Sequence, residues 1–208
     1  MERIFKIRCS QIGKIMSNAK KPGELSETCT TYLKEWYADD REEIESKYIS
    51  KGNWVESDLI DFMAEQLGFG MAEHNQEYKE DEYMTGTCDV ITPSCIVDVK
   101  APWSRKTLHD AALKVNTDYI WQGLGYMHLY DRKEFILFSG LMDTPEECNY
   151  GKEVLYSHLQ PSERWAAYKV LYDPAKIEQI QAKVLQCRVW LEEYDKMIIN
   201  NLGNIQII

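Results

Sequence analysis

Apolar and polar residues follow two different periods along the chain, helical in the first third and strand-like after residue 83. In the first third, apolar side chains recur three or four positions apart, which places them on one side of a helix. Ser10 stands before the first such stripe as an N-cap, and Gly68 ends the last one. The pattern predicts a short helix after Ser10, a long helix over residues 26–49 and an amphipathic helix over residues 54–68.

Beyond residue 83 the sequence contains short runs rich in Thr, Val and Ile, which are typical of strands. Residues 84–91 and 95–101 are separated by the turn-forming residues 92–94, so they are predicted to form a hairpin. The elements predicted after it are helices over 108–113 and 119–130, strands over 134–141 and 165–172, and a long closing helix from Pro174. This order indicates an α/β (α+β) fold in which helices flank a central mixed β-sheet.

The 208 residues are 44% hydrophobic, enough for one sizeable core, and no linker-like stretch divides them. Residues 1–208 are therefore expected to form a single domain. Neither a secretion signal nor a membrane span is recognisable, which predicts an intracellular, cytoplasmic protein without a membrane partner. In that compartment the six cysteines would stay reduced and serve as small core residues.

The net charge of −10 argues against a protein that coats nucleic acid non-specifically, because such binding needs clustered Lys and Arg. The positive charges are nevertheless grouped. Residues 1–21 contain six basic residues and one acidic residue, and residues 99–116 contain four basic residues and one acidic residue. If the two segments meet in space they form a phosphate-binding groove, and otherwise they are two solvated basic faces.

The strongest chemical signal lies in the second half of the predicted hairpin. Strand alternation sends Asp98 and Lys100 to one face, and Val97 and Val99 to the other. Asp89 ends the preceding strand, so the hairpin brings its carboxylate near Asp98. Two adjacent carboxylates repel unless a cation lies between them, and oxygen ligands favour Mg²⁺, Mn²⁺ or Ca²⁺. The pattern predicts a metal site that activates water, and the alternative is an exposed ion pair on the strand surface.

This arrangement resembles the PD-(D/E)XK nuclease superfamily, whose signature is an acid on one strand and an acid, any residue and a lysine on the next. The superfamily also has an acid on an upstream helix, and the resemblance gives that place to Glu56. Residues 119–127 resemble the glutamine-bearing helix of its RecB-like and lambda-exonuclease-like branches, in which Gln122 would face the site. The resemblance therefore implies a restriction-endonuclease-like core.

Within the superfamily, the chain is most similar to the lambda exonuclease and YqaJ viral recombinase family. Residues 85–89 and 98–103 resemble its two central motifs, including a proline and an aromatic residue after the lysine. Residues 8–12 resemble its opening element, with Ser10 on the serine. The chain departs from the family in carrying Asp98 where Glu is usual, a shorter carboxylate that the superfamily pattern still allows.

The family resemblance implies a Mg²⁺-dependent DNA exonuclease in which Mn²⁺ can substitute. Lys100 would orient or deprotonate the attacking water, and Gln122 would face the site. The implied metal ligands are Asp89, Asp98, the Val99 carbonyl and Glu56.

The resemblance further implies 5′ to 3′ digestion of double-stranded DNA by a homotrimer, with a single-strand annealing protein as partner in phage-type recombination, inside the host cell if the chain is viral. Ser10, as a helix cap, and Arg8 would hold the terminal 5′-phosphate, with Arg105 closing from the other basic segment. Two rivals remain open. One is a structure-specific or site-specific endonuclease with the same core, and the other is a catalytically silent DNA-binding module.

Overall fold

The computed structural model describes residues 3–39 and 46–203. The helices are α1 (Ile12–Met16), α2 (Glu27–Ala38), α3 (Lys47–Leu67), α4 (Arg105–Leu113), α5 (Thr117–Leu129) and α6 (Pro174–Asn201). The strands are β1 (Ile7–Arg8), β2 (Lys79–Glu80), β3 (Met84–Gly86), β4 (Val90–Ile91), β5 (Cys95–Lys100), β6 (Glu134–Gly140) and β7 (Trp165–Leu171). Single turns of 3-10 helix occupy Cys9–Gln11, Glu146–Cys148 and Pro161–Glu163.

The strands form two sheets. The four-stranded sheet has the order β4-β5-β6-β7, parallel between β5 and β6 and antiparallel at its other two junctions. The three-stranded sheet has the order β1-β3-β2, with β1 parallel to β3 and β2 antiparallel to it. Both sheets are mixed and are flanked by helices, so the predicted fold class is confirmed, although the strands are divided between two sheets rather than gathered in one.

The four-stranded sheet separates two apolar cores. On one face, Ile96 and Leu137 pack with apolar residues of α1, α2, α5 and α6. On the opposite face, Val97 and Val99 pack with Phe138 and with the apolar side of α3. Burial of both faces explains why β5 and β6 have nearly continuous apolar sequences.

Two glycines allow α5 to lie close to its neighbours. A Cβ atom at Gly123 would stand 2.2 Å from the ring of Phe135 on β6, and one at Gly125 would stand 2.5 Å from the side chain of Ile12. Both distances are too short for any real Cβ atom, so a larger residue would push the helix away. The close approach carries Gln122, beside Gly123, onto the sheet.

The predicted helix over residues 26–49 is wrong because the chain leaves the helix at Asp39, which has a left-handed backbone with φ of 53°. The helix starts close to its predicted first residue, since Ser26 is the N-cap and its hydroxyl accepts a 3.1 Å hydrogen bond from the N–H of Cys29. The next helix, α3, begins after the cap residue Ser46, well before the predicted start at residue 54. Residues 40–45 of the predicted helix lie outside the described residues.

The predicted hairpin is confirmed for β4 and β5, but the first predicted strand is in fact two strands. Residues 84–86 join the three-stranded sheet, and only residues 90–91 pair with β5. The remaining predicted elements are present with shifted ends, the largest shift being the start of α4 at Arg105 rather than at residue 108.

All six cysteines are buried and free, which confirms their predicted use as core residues. Across residues 3–39 and 46–203, no helix is both long enough and apolar enough to cross a membrane.

Candidate active site

Strand β5 directs Asp98 and Lys100 toward α5, on the face opposite Val97 and Val99, as the alternation predicts. The Asp98 side chain is only 1% exposed, and its Oδ2 atom forms an ion pair with the ammonium of Lys100. The alternative of a solvent-exposed surface pair is therefore wrong. A carboxylate buried this deeply needs partners for both oxygens, because an unpaired buried charge is very costly.

Gln122 supplies the second partner. Its Nε2 atom donates a hydrogen bond of 2.8 Å to Asp98 Oδ1 and lies 3.4 Å from the hydroxyl of Tyr126. Burial, followed by the charge of Asp98, raises the pKa of Tyr126 well above its usual range, so its hydroxyl stays neutral. The structure thus places Gln122 in the site as predicted and adds Tyr126 one helical turn further on.

Val90, the first residue of β4, pairs with Val97 on β5. Asp89, which directly precedes β4, therefore lies opposite Asp98. Its Oδ2 atom accepts a 2.8 Å hydrogen bond from the N–H of Val99. Burial, and then the charge of Asp98, raises the pKa of Asp89 to about 7, although the ammonium of Lys100 and the Val99 N–H act in the opposite direction. The two predicted acidic residues are thus close enough to interact electrostatically.

Lys100 carries its positive charge within this group. Burial alone would lower the pKa of Lys100, but the charges of Asp98 and Asp89 outweigh that effect and raise the pKa above its usual value. The ammonium also lies 5.1 Å from the centre of the Tyr119 ring, a favourable cation–π distance. A lysine held in the charged form acts by orienting and stabilising negative groups rather than by taking up a proton.

A cavity of about 250 Å³ opens beside these residues between α3 and β5. Glu56, Asp89, Val99 and Lys100 all line it, and the other lining residues are Ile49, Gly52, Asn53, Leu59 and Ala101. Glu56 is partly exposed, and its Oε1 atom is 4.0 Å from Nε2 of His74. Helix α3 therefore brings the predicted upstream acid to the same cavity as the strand residues.

The donor atoms of this cavity suit a hard divalent cation, since they are carboxylate and carbonyl oxygens. The Val99 N–H donates to Asp89, which directly precedes β4. The Val99 carbonyl points to the same side of β5 as this N–H, and therefore toward Asp89. Among residues 3–39 and 46–203, no three His, Cys, Asp or Glu side chains already surround one point as ligands. Gln122 contacts Asp98 Oδ1, and Lys100 forms the ion pair with Oδ2.

The predicted phosphate-binding residues do not line this cavity. Ser10 lies inside the 3-10 turn Cys9–Gln11 and not before it, and α1 starts after Gln11 without any side-chain cap. The prediction that Ser10 is a helix cap is therefore wrong. The physical reason is that Cys9 is buried against α5, and this contact determines the conformation of the turn. Arg8 and Arg105 are both exposed, Arg8 at the end of β1 and Arg105 at the first position of α4.

Three further residues near the site were not predicted. Tyr119 precedes Gln122 by three positions, a spacing that a search for one helical face would have found. His74 lies in an irregular segment, where no periodic signal exists. Lys51 is fully buried on α3 and donates to the backbone carbonyl of Pro102, just after the end of β5.

The site residues thus lie on a mixed sheet flanked by helices, the architecture expected from the sequence. No protein-family model matches the chain, and no curated protein matches it significantly. Solved structures do match over almost the whole length. A phage-related exonuclease from Haemophilus somnus 129PT has a TM-score of 0.81 at 23% identity, covering 94% of this chain and 97% of that one.

The alkaline exonuclease LHK-Exo from Laribacter hongkongensis has a TM-score of 0.71 at 16% identity, covering 97% of this chain and 96% of that one. A structure of LHK-Exo in complex with dAMP has a TM-score of 0.68 over 95% of both chains. At these identities the comparison shows the fold, and it agrees with the fold that the sequence resemblance implies.

Proposed function

We propose that the protein is a Mg²⁺-dependent deoxyribonuclease that removes nucleotides from the ends of double-stranded DNA. The observation that carries the proposal is the group formed by Asp89, Asp98 and Lys100, with Gln122 fixing Asp98, beside a cavity that also contains Glu56. The shared fold with two exonucleases, one of them solved with a mononucleotide, supports the choice of reaction. Fold alone does not determine the substrate, so the site residues remain the main argument.

The residues that would hold Mg²⁺, or Mn²⁺ in its place, are Asp89, Asp98, Glu56 and the Val99 carbonyl. When bound, such an ion lowers the pKa of a coordinated water and neutralises charge that develops on the scissile phosphate. Asp89 can offer the oxygen that is not engaged by the Val99 N–H. Asp98 is held in a fixed orientation by Gln122, which limits the rotation of a carboxylate that must meet an ion at a defined angle.

Lys100 has a role of its own in this proposal. Its ammonium is charged, lines the cavity and lies between the carboxylates and the ring of Tyr119. It can therefore bind a phosphate oxygen and position the water that attacks the phosphorus atom. Hydrolysis that leaves a 5′-phosphate on the product is the outcome we expect.

The finer parts of the proposal are supported by the sequence resemblance alone. They are 5′ to 3′ polarity, a homotrimer that encloses DNA, and transfer of the exposed strand to an annealing protein during phage-type recombination. Arg8, Ser10 and Arg105 are proposed to bind the terminal 5′-phosphate, with Ser10 acting through its exposed hydroxyl rather than as a helix cap.

The experiment that tests the proposal compares end-labelled linear duplex DNA with covalently closed circular duplex DNA in the presence of Mg²⁺. Linear DNA should be digested from its ends, and the closed circle should be resistant. Lys100→Ala should abolish digestion, whereas Lys133→Ala, an exposed lysine beside Asp131, should retain it. Cleavage of the closed circle would favour the endonuclease alternative, and full activity in excess EDTA would overturn the proposed chemistry.

A further inference from the structure

Two of the buried cysteines are in direct contact with each other. The Sγ atoms of Cys29 on α2 and Cys187 on α6 are 3.7 Å apart, although the residues are 158 positions apart in the sequence. Both side chains are fully buried in the core formed with α1 and α5. A disulfide bond is about 2.05 Å long, so each sulfur would have to move by less than about 1 Å to form one. The two helices are therefore already placed for a covalent link between these thiols.

The two thiols differ in how readily they lose a proton. The hydrogen bond with Cys187 lowers the pKa of Cys29, while burial acts against this change and the charge of Lys183 acts in favour of it. The same hydrogen bond, followed by burial, raises the pKa of Cys187. Cys29 also lies in the first turn of α2, bonded to the cap residue Ser26, where the helix dipole favours negative charge. Cys29 is thus the thiolate of the pair, and Cys187 keeps the proton.

A surface groove lies next to the pair, between α6 and the start of α2. It has a volume of about 350 Å³, and its lining includes Leu25, Thr30, Gln186 and Trp190. Thr30 and Gln186 are the chain neighbours of the two cysteines. The Gln186 side chain spans the gap with an exposed hydrogen bond of 2.8 Å to the Gly23 carbonyl. Exposed hydrogen bonds open at little cost, so a small oxidant has a short route to the sulfur atoms.

We propose that Cys29 and Cys187 form an oxidative modification site, at which a peroxide converts the two thiols into a disulfide between α2 and α6. The Cys29 thiolate attacks one oxygen of hydrogen peroxide and the O–O bond breaks. The other oxygen leaves as hydroxide and becomes water with the proton that Cys29 had released. Cys29 is then a sulfenic acid. The Cys187 sulfur attacks the Cys29 sulfur, the S–O bond breaks, and the hydroxyl leaves as a second water with the Cys187 proton.

The disulfide would join two helices from opposite ends of the chain. The segment between the two cysteines contains β2 to β7 and α3 to α5, and therefore the candidate active site. A cross-link that closes so long a loop stabilises a protein mainly by restricting its unfolded state. The cavity that holds Glu56, Asp89 and Lys100 has no lining residue from α2 or α6. The cross-link should therefore stabilise the fold without reshaping the site.

The test exposes the reduced protein to hydrogen peroxide and maps its cysteines by mass spectrometry without reduction. The product should contain a peptide pair joined through Cys29 and Cys187, lighter than the separate peptides by two hydrogen atoms. Of the six free cysteines, these two should resist alkylation until dithiothreitol is added. The melting midpoint should rise by about 5 °C or more. Oxidation that leaves both thiols free, or that joins either of them to another cysteine, would overturn the proposal.

Single variants separate the roles of the two thiols. In Cys187→Ala the reaction should stop at a sulfenic acid on Cys29, which dimedone traps, and peroxide should not raise the melting midpoint. In Cys29→Ala the protonated Cys187 should stay unmodified under the same exposure. Cys148→Ala removes a buried thiol from a different part of the fold and should form the cross-link as the unmodified protein does.

Two results with these variants would contradict the proposal. A rise in the melting midpoint of oxidised Cys29→Ala would show that the stabilisation comes from another reaction. A sulfenic acid that forms on Cys187 as fast as on Cys29 would remove the assigned order of the two steps. None of these measurements uses DNA, so their outcome is independent of the proposed function.

Discussion

Lys51 donates a hydrogen bond of 3.0 Å to the carbonyl oxygen of Pro102, although its side chain is fully buried. Its ammonium also lies 3.5 Å from the Trp103 carbonyl oxygen and 5.4 Å from the centre of the Tyr156 ring. These contacts fix the turn that follows Lys100, so α3 holds β5 at its carboxyl end as well as supplying Glu56 to the cavity.

This relationship predicts an unusual dependence of stability on pH. Burial lowers the pKa of Lys51 to about 8, and the charge of Asp143 only partly opposes this effect. In the unfolded chain, the side chain of Lys51 keeps its proton up to about pH 10.4. Between these values the unfolded state binds more protons than the native state, so the contribution of Lys51 to the free energy of unfolding should increase as pH rises.

The measurement is denaturant unfolding of unmodified protein and Lys51→Met between about pH 7.5 and 10.5. The difference between the two proteins should shift in favour of the lysine by at most about 3 kcal/mol across this range. DNA digestion by the unmodified protein should fall over the same range, because a neutral amine holds the Pro102 carbonyl less strongly. A difference in stability that does not change with pH would contradict this account of Lys51.

Gln122 should contribute to both stability and activity through its bond to Asp98. Gln122→Leu leaves Asp98 Oδ1 buried without a donor, which should lower the free energy of unfolding by about 1 to 3 kcal/mol. Digestion should also be slower, because the Asp98 carboxylate is then free to rotate. Gln179→Leu, at an exposed position on α6, is the matched control and should change neither quantity. Wild-type stability and rate in Gln122→Leu would mean that the amide does not hold Asp98 in solution.

Asp89 should make the metal-free protein less stable as the pH rises. Its folded pKa of about 7 lies above the unfolded value of about 3.9, so the native state retains a proton that the unfolded chain has lost. Stability from this group is present below about pH 4 and is lost as the pH rises to about 7. Asp89→Asn should remove this slope in EDTA, and Asp58→Asn, exposed on α3, should not.

The same proton controls metal binding at Asp89. A carboxylate must lose its proton to become a ligand, so the affinity for Mg²⁺ should increase as the pH rises through about 7. Calorimetric titration of Mg²⁺ at several pH values checks this. An affinity that is the same at about pH 6 and pH 8 would remove Asp89 from the set of ligands.

Lys100 should matter for folding as well as for chemistry. Lys100→Met leaves the Asp98 carboxylate buried without its cation, and the loss of one partner of a buried pair typically costs about 3 to 5 kcal/mol. Digestion should fall by about 10² or more. The double variant Asp98→Asn/Lys100→Met should recover most of the stability and none of the activity. If the single variant were fully stable in EDTA, the ion pair would not form in solution.

The centre of the site could be predicted from the sequence because it depends on local rules. Alternation along β5 is enough to place Asp98 and Lys100 on one face, and the short connection between β4 and β5 is enough to bring Asp89 near them. Gln122 is different, because only the family resemblance pointed to it. The spacing of the apolar residues in α5 does not indicate which strand its polar face contacts.

What could not be predicted depends on tertiary contacts. A run of strand-forming residues over 84–91 does not reveal that its two ends pair in different sheets. The N-cap expected at Ser10 follows local sequence preference, but the turn is set by Cys9, which is buried against α5. Lys51 falls between the helices predicted over residues 26–49 and 54–68, and only the packed structure shows the carbonyl oxygens that keep it inside.

Arg188, on the last helix, contacts two residues that lie far from it in the sequence. Its guanidinium donates to the Phe5 carbonyl at 3.0 Å, across 183 positions of sequence, and to the Glu82 carbonyl at 2.6 Å. By contrast, Asp89 meets Val99 across 10 positions and Asp98 meets Gln122 across 24. Loop closure costs more entropy as the loop lengthens, so bringing Phe5 to Arg188 costs more entropy than bringing the chemical groups together. We therefore expect the contacts between distant parts of the chain, and not those among the chemical groups, to slow folding.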